Sequence, residues 1–201
     1  LAEMAPSRAA VPAWLIWMVH RAHLNDPSLT AVDFSNVQMP AGDGEARIAP
    51  KLALAMASNT HIKELNLSNS NLRTSETRLL ATSLGSNMTL RVLNVDSNCL
   101  SPDDLMVLAK GLGQNRGLQE FRCNNQHKSD AGRCGSEVLG AVLAAVQANT
   151  SIVKLGMSIS DPHYNNEISN QLTRNQDRVR QARTRESSEG CPSGCPSPDK
   201  L

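Results

Sequence analysis

Apolar residues along the 201-residue chain alternate between two periods. The template L-x-x-L-x-L-x-x-N-x-L is clearest at Leu90, Leu93, Val95, Asn98 and Leu100. Further copies run Leu29, Val32, Phe34, Val37, Met39 and Ile62, Leu65, Leu67, Ser70, Leu72, with looser ones at Leu118, Phe121, Cys123, Gln126 and at Ile152, Leu155, Met157, Ser160. Their starts at 29, 62, 90, 118 and 152 are separated by 33, 28, 28 and 34 residues. Within each copy the inward positions recur every second residue, which predicts a short strand. Between copies the period changes to that of a helix: Ile48, Leu52, Ala55, Met56; then Leu105, Leu108, Ala109, Leu112; then Val138, Val142, Ala145, Val146. Each set predicts one apolar helical face.

A strand and helix repeated near every 28 residues is the long form of the leucine-rich repeat. One such unit cannot bury its face alone, so neighbours must stack. The predicted fold is α/β, a leucine-rich repeat solenoid of about five strand-helix repeats with a concave parallel sheet and capping helices at both ends. Ser101-Pro102-Asp103-Asp104 supplies a hydroxyl cap, a proline at the first helical position and two carboxylates at the positive end of the dipole. Asn59, Asn87, Asn115 and Asn149 each lie three residues before a strand template, and are expected to end the helices in the left-handed conformation. Pro12 to Leu24, with Trp14, Leu15 and Met18 on one face, reads as the N-terminal cap, and Glu167 to about Arg185 as the C-terminal one. The expected organisation is a disordered segment over 1–11, the repeat domain with its caps over 12–185, and a disordered Ser/Pro/Gly/Cys tail over 186–201.

Charge and composition narrow the function. Lys+Arg 20 against Asp+Glu 19 leaves no overall field to hold nucleic acid or an anionic membrane. Aromatics make up 2%, too few for a base-stacking platform. Five cysteines, an odd number at irregular spacing and without a secretory signal, point to reduced thiols and a cytoplasmic setting. The apolar run Ala9 to Val19 contains Pro12 and is shorter than the roughly 20 residues that a membrane helix needs.

The search for chemistry returns little. Cys191 and Cys195 have no second ligand pair for a metal, His20 and His23 lack a third ligand, and Cys123, although near His127, occupies an inward repeat position. Gly42-Asp43-Gly44 reads as a connector. The glycosylation patterns at Asn66, Asn87 and Asn149 fall inside the repeat framework and are set aside. No nucleophile, base and orienting group come together, so the chain is expected to be no enzyme and to carry no cofactor or metal. Binding is expected instead. Arg174, Arg178, Arg180, Arg183 and Arg185 on the last helix form a candidate surface for an acidic protein.

Several segments resemble the leucine-rich repeat half of the tropomodulin and leiomodin family. Asn25-Asp26-Pro27-Ser28-Leu29-Thr30 is similar to the family's N-D-P-x-L-T, and Asn59-Thr60-His61-Ile62-Lys63 to N-T-H-V-K. The most specific match is Thr89-Leu90-Arg91-Val92-Leu93-Asn94-Val95-Asp96-Ser97-Asn98, which resembles T-L-R-x-L-N-V-E-S-N. Asn125-Gln126, Ile152-Val153-Lys154-Leu155-Gly156 and Arg174-Asn175-Gln176-Asp177 follow the family's later motifs; Met157 and Ile159 depart from it where aromatics are usual. The resemblance, over about Pro12 to Arg185, implies a monomeric cytoskeletal protein whose repeats and last helix bind actin at the filament's pointed end. The family's tropomyosin-binding half has no counterpart in these residues, so tropomyosin is not an implied partner. The alternatives are a generic leucine-rich repeat scaffold and a Ran-type GTPase regulator, although the latter's acidic tail is missing.

Overall fold

The computed structural model describes residues 11–41, 45–126 and 135–189. The connector at 42–44, His127 and the cysteines of the tail lie outside them, as do most of the expected N-terminal segment and the tail beyond Glu189. Strands and helices alternate: α1 (Val11–His23), β1 (Ala31–Asp33), α2 (Ala49–Ala55), β2 (Glu64–Asn66), α3 (Thr74–Ser86), β3 (Val92–Asn94), α4 (Pro102–Gln114), β4 (Glu120–Arg122), α5 (Ser136–Ala148), β5 (Lys154–Gly156) and α6 (Pro162–Glu189). The strands pair in parallel in chain order, β1-β2-β3-β4-β5.

Register explains the side-chain pattern. Val32, Leu65, Leu93, Phe121 and Leu155 stand in one row and face the helices. The flanking rows, Ala31–Glu64–Val92–Glu120–Lys154 and Asp33–Asn66–Asn94–Arg122–Gly156, form the polar open face. One hydrophobic cluster runs the length of the stack, from Leu15 on α1 to Ile168 on α6. The predicted helical faces are all in it. At the N-terminal end Leu15, Met18, Val19 and Ala22 are buried, and Trp14 packs edge-on against Phe34 with ring centroids 5.4 Å apart.

The asparagine positions are as expected but their reason is different. Asn87, Asn115 and Asn149 have φ between −91° and −69° with extended ψ, so they are not left-handed. They are buried hydrogen-bonding rungs instead. Asn115 is fully buried; its amide donates to the carbonyls of Leu84 (2.7 Å) and Asn87 (2.6 Å) in the preceding repeat. Its own oxygen accepts the N–H groups of Gly117 (2.8 Å) and Leu118 (2.6 Å), just ahead of β4. Asn59, Asn87 and Asn149 repeat the arrangement. A buried amide that satisfies backbone on two repeats lets the chain leave the helix abruptly without orphaned polar groups. Apart from Asn25 after α1, the left-handed residues lie on the opposite edge, at Asn36, Asn69, Asn71, Ser97, Cys99 and Asn125. There Asn98 accepts from Ser70 and Leu72 and donates to Leu67, forming a second set of links.

Ser101 caps α4 as its sequence predicts, and Asp104 completes a capping box by accepting the Ser101 N–H at 3.0 Å. Helix α3 has no comparable apolar signature, because Glu76, Thr77 and Ser83 are buried in it beside Leu80 and Leu84. Ser83 is accommodated by donating to the Ala53 carbonyl of the neighbouring helix. Among the described residues no helix is long and apolar enough to cross a membrane.

Candidate functional site

Helix α6 begins five residues earlier than the sequence predicts, at Pro162, where Asp161 accepts the N–H groups of His163 and Tyr164. A carboxylate there satisfies the first-turn donors and complements the dipole. The helix is anchored along one narrow face. Ile168 and Gln171 are buried, Asn175 is fully buried, and Leu172 and Val179 are half-buried. Arg180 through Arg185 are all exposed, so the repeat core ends near Val179 while the helix continues.

Polar bonds complete the anchor. Asn175 donates to the carbonyls of Asn149 and Ile152, each at 2.9 Å, and more distantly to Val146 at 3.5 Å. Gln171 donates to the Asn175 side-chain oxygen at 3.0 Å. Gln176 donates to the Val153 carbonyl at 2.9 Å. That carbonyl ends a row in which Lys63 donates to Thr30, Arg91 to Lys63, Gln119 to Arg91 and Val153 to Gln119. Asn175 and Gln176 thus continue both the asparagine rungs and the sheet row past the last strand, along the edge where helices hand over to strands.

The five arginines do not form one face. At about 100° per residue, Arg174, Arg178 and Arg185 fall within roughly 40° of one another on the flank beside Gln171. Arg180 and Arg183 fall on the opposite flank. All five are exposed. Sequence proximity grouped them; the helical repeat separates them into a stripe of three and a pair.

The open face of the sheet carries a second charged group. Arg122 and Lys154 both pair with Glu120, the lysine at 3.1 Å. Burial raises the Glu120 carboxyl, but these two cations outweigh it and hold the group below the usual carboxylate range. Ahead of β1, Asp26 accepts from the Ser28 hydroxyl at 2.7 Å and from Arg21 at 2.7 Å; these bonds, with the Ser28 N–H, hold its carboxyl well below the usual range. This is the physical content of the Asn25-Asp26-Pro27-Ser28 motif, together with Asn25, whose left-handed backbone (φ 54°) lets its side chain bond Thr60.

A depression of about 540 Å³ lies at the opposite edge, between the turns into α3 and α4. It is lined mainly by amides and hydroxyls, with Asp104 its one carboxylate. Among the described residues no group of three or more His, Cys, Asp or Glu could hold a metal ion.

The sequence profile of the TMOD/LMOD leucine-rich domain matches residues 16–178. The chain belongs to the tropomodulin and leiomodin family. Solved structures agree. The leiomodin-1 actin-binding site 2 (ABS2) superposes with a TM-score of 0.78 at 26% identity, covering 87% of this chain and 96% of that one. The tropomodulin C-terminal domain of Caenorhabditis elegans superposes with a TM-score of 0.75 at 28% identity, covering 85% and 98%. No curated protein matches the chain. Membership of the tropomodulin and leiomodin family sets the chain among non-enzymatic domains built on this solenoid.

The sequence gives no sign of a role for Gln171, and marks Asn175 and Gln176 only as part of the Arg174-Asn175-Gln176-Asp177 segment. One signal was present: Asn175 follows Asn149 by 26 residues, close to the spacing of the earlier rungs.

Proposed function

We propose that this chain is an actin-binding cytoskeletal protein of the cytoplasm that acts at the pointed end of the filament. The relative named actin-binding site 2 supports actin as the partner. The observation that carries the reading is α6, a long helix anchored by one face to the repeat array, with five exposed arginines, three of them past the last buried contact. Arginine pairs carboxylates with two parallel hydrogen bonds, and helix geometry keeps the stripe of Arg174, Arg178 and Arg185 in register against a partner. An acidic actin surface is the complementary chemistry. The rigid array keeps the entropy of ordering low, so more of the contact energy appears as affinity.

The test is pointed-end elongation from filaments capped at the other end with gelsolin. Adding the chain is expected to slow subunit addition. Arg174→Glu/Arg178→Glu/Arg185→Glu is expected to weaken the effect about tenfold or more, since each reversal replaces an attraction with a repulsion worth of order 0.5–1 kcal/mol at an exposed contact. Arg180→Glu/Arg183→Glu, on the other flank, tests whether the partner wraps the helix. No slowing with the wild-type chain at about 50 µM, a concentration that would reveal even weak binding, would refute the reading.

A further inference from the structure

We propose that Asn175, braced by Gln171, is the positioning residue that sets the angle of α6 on the repeat array and so aims its arginines; this rests on the reading of α6 as the partner-binding helix. In the earlier rungs the asparagine oxygen takes N–H groups of the segment leading into the next strand, as Asn115 does from Gly117 and Leu118. Asn175 lies inside a helix, where the following N–H groups are already committed to helical bonds, and Gln171 supplies the missing donor at 3.0 Å. That brace holds the Asn175 amide toward the carbonyls of Asn149 and Ile152. A helical residue thereby occupies the place of a fifth rung, and the carbonyls at the open end of the stack are satisfied by it.

Apolar anchoring of the same helix is thin: Ile168 is its one buried apolar side chain among the described residues. The polar rung therefore decides the helix's orientation. From Asn175 to Arg185 is ten residues, about 15 Å of helix. A rotation of about 20° at the rung would carry the far arginine roughly 5 Å sideways, beyond the range of an ion pair.

Asn175→Asp in the full chain is the test, because it keeps size and acceptor but turns an oxygen toward the Asn149 and Ile152 carbonyls. Amide hydrogen exchange over 176–185 is expected to rise about tenfold while exchange in β1 to β4 stays at the wild-type rate. Affinity for filament pointed ends is expected to fall about tenfold, with a flatter salt dependence, since fewer arginines engage; a purely structural role would leave the salt dependence of the bound fraction unchanged. Where Asn175→Asp fails to fold, Gln171→Leu removes the brace alone and is expected to act in the same direction. Wild-type exchange in α6 of the variant, whatever its binding, overturns the proposal. Raised exchange, with wild type and Arg174→Glu/Arg178→Glu/Arg185→Glu binding equally, upholds the positioning role and overturns the binding reading instead.

Discussion

Replacing Asn115 with alanine removes four buried hydrogen bonds at once. Its amide reaches Leu84 and Asn87 in one repeat while its oxygen holds Gly117 and Leu118 in the next, over distances of 2.6 to 2.8 Å. All four partners are backbone groups, and no water reaches the asparagine, which is fully buried. A hydrogen bond whose buried partner is left unsatisfied costs on the order of 1 kcal/mol or more, so Asn115→Ala is expected to lose about 4 kcal/mol. In a chain of this size 1 kcal/mol moves Tm by about 2–4 °C, which puts the expected fall at about 8–16 °C. Thermal melting and urea titration both read it. Asn170→Ala, at an exposed site on α6, is the control and is expected to change stability by less than about 0.5 kcal/mol. Because a solenoid is stabilised by its interfaces, hydrogen exchange should rise in the repeats on both sides of the substitution. A loss under about 1 kcal/mol would refute the account of the rungs, since it would mean that backbone on both repeats finds other partners at little cost.

Further outcomes follow from the packing. A Cβ on Gly111 would lie 2.3 Å from the Ala81 carbonyl oxygen, so Gly111→Ala must push α4 from α3 and is expected to cost about 1–3 kcal/mol. Gly140→Ala meets only the Tyr164 hydroxyl, at 3.7 Å, and is expected to gain about 0.5–1 kcal/mol by helix propensity; melts showing the same sign for both would sink the close-approach argument. The Glu76 carboxylate is buried with no hydrogen-bond partner among the described residues. Glu76→Met, of similar volume, is expected to raise the urea midpoint by about 1 kcal/mol equivalent, desolvation outweighing the lost dipole attraction; a fall would reveal a partner for the carboxylate. Asp26, whose folded carboxyl titrates below its unfolded value near ~3.9, contributes stability that is present above about pH 4 and lost as pH falls below it. The stability gap between wild type and Asp26→Asn should therefore close from about pH 4 downward, and a gap independent of pH would contradict the assigned bonds.

The inward rows of the sheet and three of the helical faces were legible in the chain because burial imposes a period on apolar residues, and no distant contact is needed to see it. The capping box at Ser101 was legible for the same reason: its chemistry is complete within four residues. Helix α3 was harder to read. Its core positions include Glu76, Thr77 and Ser83, and the Ser83 hydroxyl meets the Ala53 carbonyl, 30 residues away, besides the Leu79 carbonyl of its own helix. The asparagines show both sides. Their spacing repeats the strand spacing, yet their conformation and purpose depend on which carbonyls the preceding repeat presents.

Periodicity and local capping were enough to establish a stacked array and the order of its strands, since both follow from near-neighbour geometry along the chain. Packing alone decided how the last helix lies: that Asn175 and Gln176 meet backbone from the final repeat, and that the buried line of Ile168, Gln171 and Asn175 runs between the two groups of arginines. A linear pattern records which residues are apolar, but not the direction in which a polar side chain finds its partner once separate turns of chain are brought together.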